Sequence, residues 1–360
     1  VALLIGPVPI AALQNQIDVI AQVNTTEATV DLFTLPDRTQ APISQVNDGT
    51  FVTIVGRDNA NSWFNVQVPG GMGGWLPAEQ LSVINRDFQP AQVPLITMNA
   101  DTILSYSLLW NFESNHTLII FQRGRASGKN LNDFTKVGDS ITASRNYLYP
   151  FGAGVYDLQA YPHLAHVLEF FGTGADSSFN HDSIAVRNGW STRDVLSERR
   201  ALQRGCPAGT TPLTCEYDNS QPAFALIMLG TNDATAMNAD EYEANLSVII
   251  QTTLDYDIVP VLFTVPPLLR PEYDVTPFNH AVIRLSQRYD VPMVNYWLAV
   301  QSLPNYGISS DLVHPSAPPS NAGATLFTPE YLQYGYTVRN LITLQGLDQL
   351  LRYTVYPTFG

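Results

Sequence analysis

Four short stretches of this chain carry residues that could do covalent chemistry together. Gly138-Asp139-Ser140 ends an apolar run and opens a turn. Asn188-Gly189-Trp190-Ser191 and Gly230-Thr231-Asn232-Asp233 follow later, and Asp311-Leu312-Val313-His314 comes last. A serine hydroxyl is a poor nucleophile at neutral pH. It needs a base within hydrogen-bond reach and a third group that orients the base. His314 is a candidate base, and Asp311, three residues earlier, can hold it. His314 would take the Ser140 proton as the new bond forms and return it to the leaving alcohol. The tetrahedral intermediate of such an acyl transfer also needs donors aimed at its oxyanion. The backbone N–H groups of Ser140 and Gly189 and the side-chain amide of Asn232 can supply three. Each residue alone has a plainer role. A Gly-Asp-Ser turn is commonly only a turn or a helix cap, and Asn232 fits an ordinary turn position.

The elements around these stretches place them at one end of a sheet. From residue 130 short apolar runs alternate with amphipathic ones. Strands are expected at 134–137, 182–186, 223–229, 259–264 and 292–296, with helices at 161–171, 193–202, 240–254 and 277–289. The run 335–352 reads as a closing helix. This alternation predicts an α/β domain with a parallel sheet covered on both faces. Ligands in such sheets bind beyond the strand C-termini. Ser140, Gly189 and Asn232 each sit just past a predicted strand end. Arg187 and Trp190 fall beside them as candidate pocket residues, with core packing as the alternative.

The four stretches, in this order, resemble the four sequence blocks of the SGNH (GDSL) hydrolase superfamily. The resemblance covers roughly 130–352 and includes Pro260-Val261 to Pro266-Pro267 and the closing helix. It implies a flavodoxin-like three-layer α/β/α fold and ester hydrolysis without a metal or other cofactor. It also implies Ser140 as nucleophile, His314 as base, Asp311 as its partner, and Ser140, Gly189 and Asn232 as the oxyanion hole. The block at 188–192 departs most from the family, which often has a second small residue where Trp190 and Ser191 stand.

Upstream, residues 20–86 show short alternating runs at 29–33, 50–55 and 63–68, separated by Leu35-Pro36-Asp37, Gly56-Arg57-Asp58-Asn59 and Pro69-Gly70-Gly71. This spacing predicts a small all-β barrel. Asp48-Gly49-Thr50, Trp63, Val66 and Gly73-Gly74-Trp75-Leu76 resemble the bacterial Src-homology-3-like (SH3-like) family. That likeness implies a spacer or a binder of cell-wall peptide or polysaccharide, with Trp63 and Trp75 as either groove or core. Residues 87–129 read as a linker with two further strands, at 102–110 and 116–122. Gly124 and Gly128 lack the Lys-Ser/Thr of a phosphate loop, which excludes that mode of nucleotide binding. The hydrolase domain is expected over 130–360. Residues 1–19 form an apolar segment broken by Pro7 and Pro9, read as an extended tail packed on its own chain or on a neighbour.

Composition sets the class. The chain has 360 residues, 45% hydrophobic and 14% charged, as in a folded domain or two. Eighteen basic and 32 acidic side chains give a net charge of −14. That argues against nucleic acid and against an anionic membrane surface as partners. No apolar run reaches the length of about 18 residues that spans a bilayer. Cys206 and Cys215 flank a Gly-Pro-Thr-rich loop and are expected to pair, with two free thiols as the alternative. Triplets at Asn24, Asn115 and Asn245 fit the glycosylation sequon. His163 and His166 lack a third metal ligand nearby and read as a solvated helix face. The expectation is an extracellular serine esterase acting on acylated carbohydrate or lipid. The competing expectation is a surface or filament protein that keeps the hydrolase fold as scaffold and assembles through the tail.

Overall fold

The structure, a computed structural model, describes residues 19–356 apart from 34, 39–41, 71–72 and 97–99. Nearly all of the apolar tail expected at 1–19 lies outside the described residues. The chain forms two compact units, 1–97 and 98–360.

The first unit is all-β. Its strands are β1 (Val19–Val23), β2 (Thr29–Leu32), β3 (Ser44–Asn47), β4 (Phe51–Arg57), β5 (Trp63–Gln67), β6 (Gly73–Pro77) and β7 (Leu81–Val83). Five of them form an antiparallel sheet in the order β6-β5-β4-β1-β7, and β2 pairs with β3. Alternation sorts the side chains. In β4, Val52 and Ile54 point inward while Phe51 and Val55 face solvent. Trp63 and Trp75 are both buried, so they build the core and leave no aromatic groove of their own. The stretch at 94–96, read as linker, bonds to β4: Arg57 N–H donates to Pro94 O and Ile96 N–H to Arg57 O.

The second unit carries the sheet β8-β12-β11-β10-β9. Its strands are β8 (Leu109–Trp110), β9 (Asn130–Gly138), β10 (Pro222–Met228), β11 (Val259–Phe263) and β12 (Met293–Val294). All neighbours are parallel except β8, which runs antiparallel to β12. Every residue of β10 and β11 is buried, as expected of strands covered on both faces. Helices Asn115–Ala126, Ala165–Phe171 and Gly335–Thr354 form one layer. Phe121 and Phe171 from that layer both pack on Phe224 of β10, with ring centroids 5.5 and 6.0 Å away. Helices Pro212–Ser220, Ala239–Asp255 and Thr276–Tyr289 form the other layer, joined by a 2.8 Å bond between the Tyr217 and Thr253 hydroxyls. The three-layer α/β/α fold is as the sequence predicts.

Three expectations are corrected. The run at 116–122 is helical, not a strand. Thr117, Ile120, Phe121 and Gly124 are buried at helical spacing, and the Ser114 hydroxyl caps the helix by accepting from His116 N–H. The β-branched run misled the reading, because a buried helix face outweighs intrinsic strand propensity. Likewise 102–110 is the helix Ala100–Tyr106 followed by the two residues of β8. The strand expected at 182–186 reduces to one bridge, Val186 to Gly138. There the Ser183 hydroxyl accepts from Ala185 N–H, and Val186 N–H turns back to Ser183 O. Such local bonds compete with a sheet ladder. Cys206 and Cys215 form a disulfide.

Candidate active site

Ser140 stands where β9 ends and the short helix Ser140–Ala143 begins. Gly138 makes this turn possible. A Cβ there would lie 2.4 Å from Thr142 Oγ1 and 2.8 Å from the Met228 carbonyl oxygen. Asp139 caps the helix, its Oδ1 accepting from Ile141 N–H at 2.9 Å. From the closing helix, the buried Arg339 grips the same turn. Its guanidinium donates to Ile141 O at 2.7 Å and to Thr142 Oγ1 at 3.0 Å, and it lies 3.6 Å over the Tyr147 ring. Sequence reading missed Arg339. The available signal was a cation in the midst of an apolar helix, where charges are rarely buried without partners.

Ser140 Oγ lies 2.8 Å from His314 Nε2, and His314 Nδ1 lies 2.6 Å from Asp311 Oδ2. The other oxygen of Asp311 accepts from Val313 N–H, His314 N–H and the Ser309 hydroxyl, at 2.9, 2.9 and 2.8 Å. Leu312 adopts a positive φ of 67°, which folds the loop back so that those N–H groups reach the carboxylate. Partial burial disfavours the charge of Asp311. The bonds from His314, Val313 and Ser309 outweigh it and hold the carboxyl well below the usual range. An ionised Asp311 only accepts, so the imidazole proton sits on Nδ1. Nε2 then offers its lone pair to the Ser140 hydroxyl. A proton can thus leave Ser140 as its oxygen attacks a carbonyl carbon.

The candidate oxyanion donors lie on three separate turns. Among the described residues no acceptor takes the backbone N–H of Ser140 or of Gly189. Gly189 has φ +77°, a conformation that disfavours any side chain. The Asn232 amide donates one hydrogen to Trp190 O at 2.8 Å and keeps a second for an incoming oxyanion. Its neighbour Asp233 accepts from the Thr192 N–H at 2.9 Å and the Thr192 hydroxyl at 2.5 Å. Asn232 and Asp233 therefore clamp residues 190–192, which fixes Gly189 relative to Asn232. Burial pushes the Asp233 carboxyl up, against the bonds from Thr192. Farther back, buried Glu216 ties down the approach to Gly189. It accepts from His181, Thr135 and Ile184 N–H at 2.7, 2.5 and 2.7 Å.

The remaining candidate residues separate. Arg187 is exposed and lines a cavity, while its N–H donates to Gly138 O at 3.2 Å. Trp190 is buried and does not line that cavity, so its indole serves packing and its carbonyl holds Asn232. His166 pairs with Asp348 at 3.0 Å. Among the described residues no three His, Cys, Asp or Glu side chains cluster as a metal site would require.

A serine in line with an imidazole and a carboxylate defines the arrangement of a serine hydrolase. Residues 137–318, about half of the chain, match the model of the GDSL-like lipase/acylhydrolase family. The chain belongs to this family, whose members are ester hydrolases of the SGNH type. The fold is similar to several solved structures. A GDSL-like lipase from Bacteroides thetaiotaomicron shares 18% identity over 66% of this chain and 98% of its own, with a TM-score of 0.37. A lipase/acylhydrolase from Enterococcus faecalis shares 18% over 60% and 95%, with a TM-score of 0.39. An acetylxylan esterase from Geobacillus stearothermophilus shares 18% over 61% and 95%, also at 0.39. No curated protein sequence matches the chain.

Two predictions follow from this geometry. Gly189→Ala forces a Cβ onto a positive φ and strains the backbone that would aim the candidate oxyanion N–H. It is expected to lower kcat about 100-fold with a smaller change in KM. Steady-state kinetics on a chromogenic ester check this, and an unchanged kcat would remove Gly189 from the hole. The second concerns Asp139. Burial raises its carboxyl to about 6, against the Ile141 N–H bond and the Arg339 cation, which both favour the ionised form. A carboxyl raised by folding stabilises the protein fully below its unfolded pKa near 4, and that contribution is lost as pH rises through about 6. Asp139→Asn does not titrate. Relative to the variant, the wild type should therefore lose about 2 kcal/mol between pH 4 and 7.5. Denaturant midpoints at the two pH values measure it, and parallel profiles would contradict it.

Proposed function

We propose that the chain is a secreted serine esterase that removes small acyl groups, acetyl foremost, from carbohydrate. In this reading Ser140 attacks the ester carbonyl while His314 accepts its proton. The oxyanion settles against Ser140 N–H, Gly189 N–H and the Asn232 amide. His314 then protonates the departing alcohol, and water repeats the sequence to release the acid. The observation that carries the reading is the continuous chain from Ser140 Oγ through His314 to Asp311, at 2.8 and 2.6 Å.

Location and substrate rest on lighter support. The Cys206–Cys215 disulfide fits an oxidising compartment outside the cytosol. The first unit would be an SH3-like tether to wall or matrix polysaccharide, supported by its five-stranded antiparallel sheet and by the motifs at 48–50 and 73–76. The acetylxylan esterase among the similar structures gives acetylated carbohydrate as the first substrate class to try. The sequence also admits a surface assembly joined through the apolar tail, and an aligned triad leaves such an assembly still able to hydrolyse esters.

Hydrolysis of p-nitrophenyl acetate and longer acyl esters at pH 6 to 9 tests the proposal. Ser140→Ala should lower kcat by at least about 10⁴-fold. Equal turnover by wild type and variant would refute the assignment of Ser140.

A further inference from the structure

A cavity of about 520 Å³ in the second unit is lined in part by residues close in sequence to Ser140 and Gly189. Its wall includes Ala143, three residues after Ser140 on the same short helix, and Asn188, which adjoins Gly189. Three arginines are among the residues that line it, Arg145, Arg187 and Arg204. The chain as a whole carries only 18 basic side chains against 32 acidic ones. A concave site where this balance reverses calls for an explanation.

The lining offers one counter-charge, Asp182. Asp182 is already engaged by Arg145 at 2.9 Å and by the Tyr149 hydroxyl, while Arg145 also lies 4.1 Å over the Tyr149 ring. Arg204 donates to Ser183 O at 3.1 Å and lies 6.0 Å over the Trp190 ring, and neither partner is a carboxylate. Among the described residues the Arg187 guanidinium has no hydrogen bond or ion pair. The Lys136 ammonium, buried behind the Tyr149 ring at 4.2 Å, adds no negative charge. Two cationic forks therefore face the same cavity without a carboxylate partner. A planar guanidinium binds carboxylate or sulfate oxygens in pairs.

Resting on Ser140 as the nucleophile, we propose that this cavity is a substrate subsite for an anionic group. Arg187 and Arg204 would take a carboxylate or sulfate that the ester carries a few atoms from the scissile bond. The substrate class narrows accordingly, from acylated carbohydrate in general to esters whose sugar or acyl half is acidic. In a protein of net charge −14 such a pocket also lets an acidic substrate reach the nucleophile against the overall repulsion.

Paired esters test this on the purified full chain. One arm compares p-nitrophenyl hydrogen glutarate with neutral p-nitrophenyl butyrate and so probes the acyl half. The other compares acetylated methyl glucuronide with acetylated methyl glucoside and probes the alcohol half. The readout is the ratio of kcat/KM for the anionic over the neutral ester, taken on one enzyme sample so that any loss of folded protein cancels. The wild type should favour the anion about tenfold or more in one arm, which identifies the half that occupies the cavity. Arg187→Ala with Arg204→Ala should bring that ratio towards one, Arg187→Lys should restore part of it, and 0.5 M NaCl should weaken it. Ligand-observed NMR with glucuronate against glucose gives a readout independent of turnover. Binding of glucuronate to the wild type that the double variant loses supports the subsite. Turnover of neutral esters with ratios near one in both arms, and no glucuronate binding, overturns the subsite and leaves Ser140 standing. Glucuronate bound without turnover of any ester overturns Ser140 and leaves the anion site.

Discussion

The site depends on how closely the turn after β9 lies against the end of β10. Gly138 sets that distance, because a single Cβ would collide with Thr142 and with the Met228 carbonyl. The turn is held from behind as well. Arg339 reaches from the closing helix to Ile141 O and Thr142 Oγ1, and Asp139 accepts from Ile141 N–H. Both ends of the serine-bearing helix are thereby fixed before any substrate arrives. Preorganisation of this kind is what makes oxyanion donors effective, since they need not reorient as charge develops.

The other parts meet Ser140 through separate, short-range constraints. Asn232 and Asp233 hold 190–192, and Glu216 holds His181 and Ile184. The Asp311–His314 loop closes on itself through four hydrogen bonds and a positive φ at Leu312. A site assembled from strand-end loops on a rigid sheet needs such local ties, because loops have little packing of their own. The cost is visible in two buried carboxyls, Asp139 and Asp233, each raised by burial.

Much of this was legible in the sequence. Apolar runs such as Ala223–Leu229, bounded by helical stretches, mark strands covered on both faces, and β10 is buried throughout. Ser140, His314 and Asp311 were legible as a set because nucleophilic chemistry demands those types together, and the structure brings them into hydrogen-bond contact. The helix at 115–126 was misread although its buried positions have helical spacing, because Thr-Leu-Ile-Ile-Phe also has strand propensity. The strand expected at 182–186 failed for a different reason, since the Ser183 hydroxyl captures the neighbouring backbone. Arg339 and Glu216 could not be assigned because their partners lie far away in sequence. Trp190 beside Gly189 reads as core packing with a pocket wall as the less favoured possibility, and its indole packs inside.

The most direct test of the account is covalent. An organophosphorus fluoride that mimics the tetrahedral intermediate should modify the protein once, and peptide mass spectrometry should place the adduct on Ser140. His314→Ala should suppress the labelling. An unlabelled protein, or an adduct on another residue, would contradict the central claim that His314 and Asp311 activate Ser140.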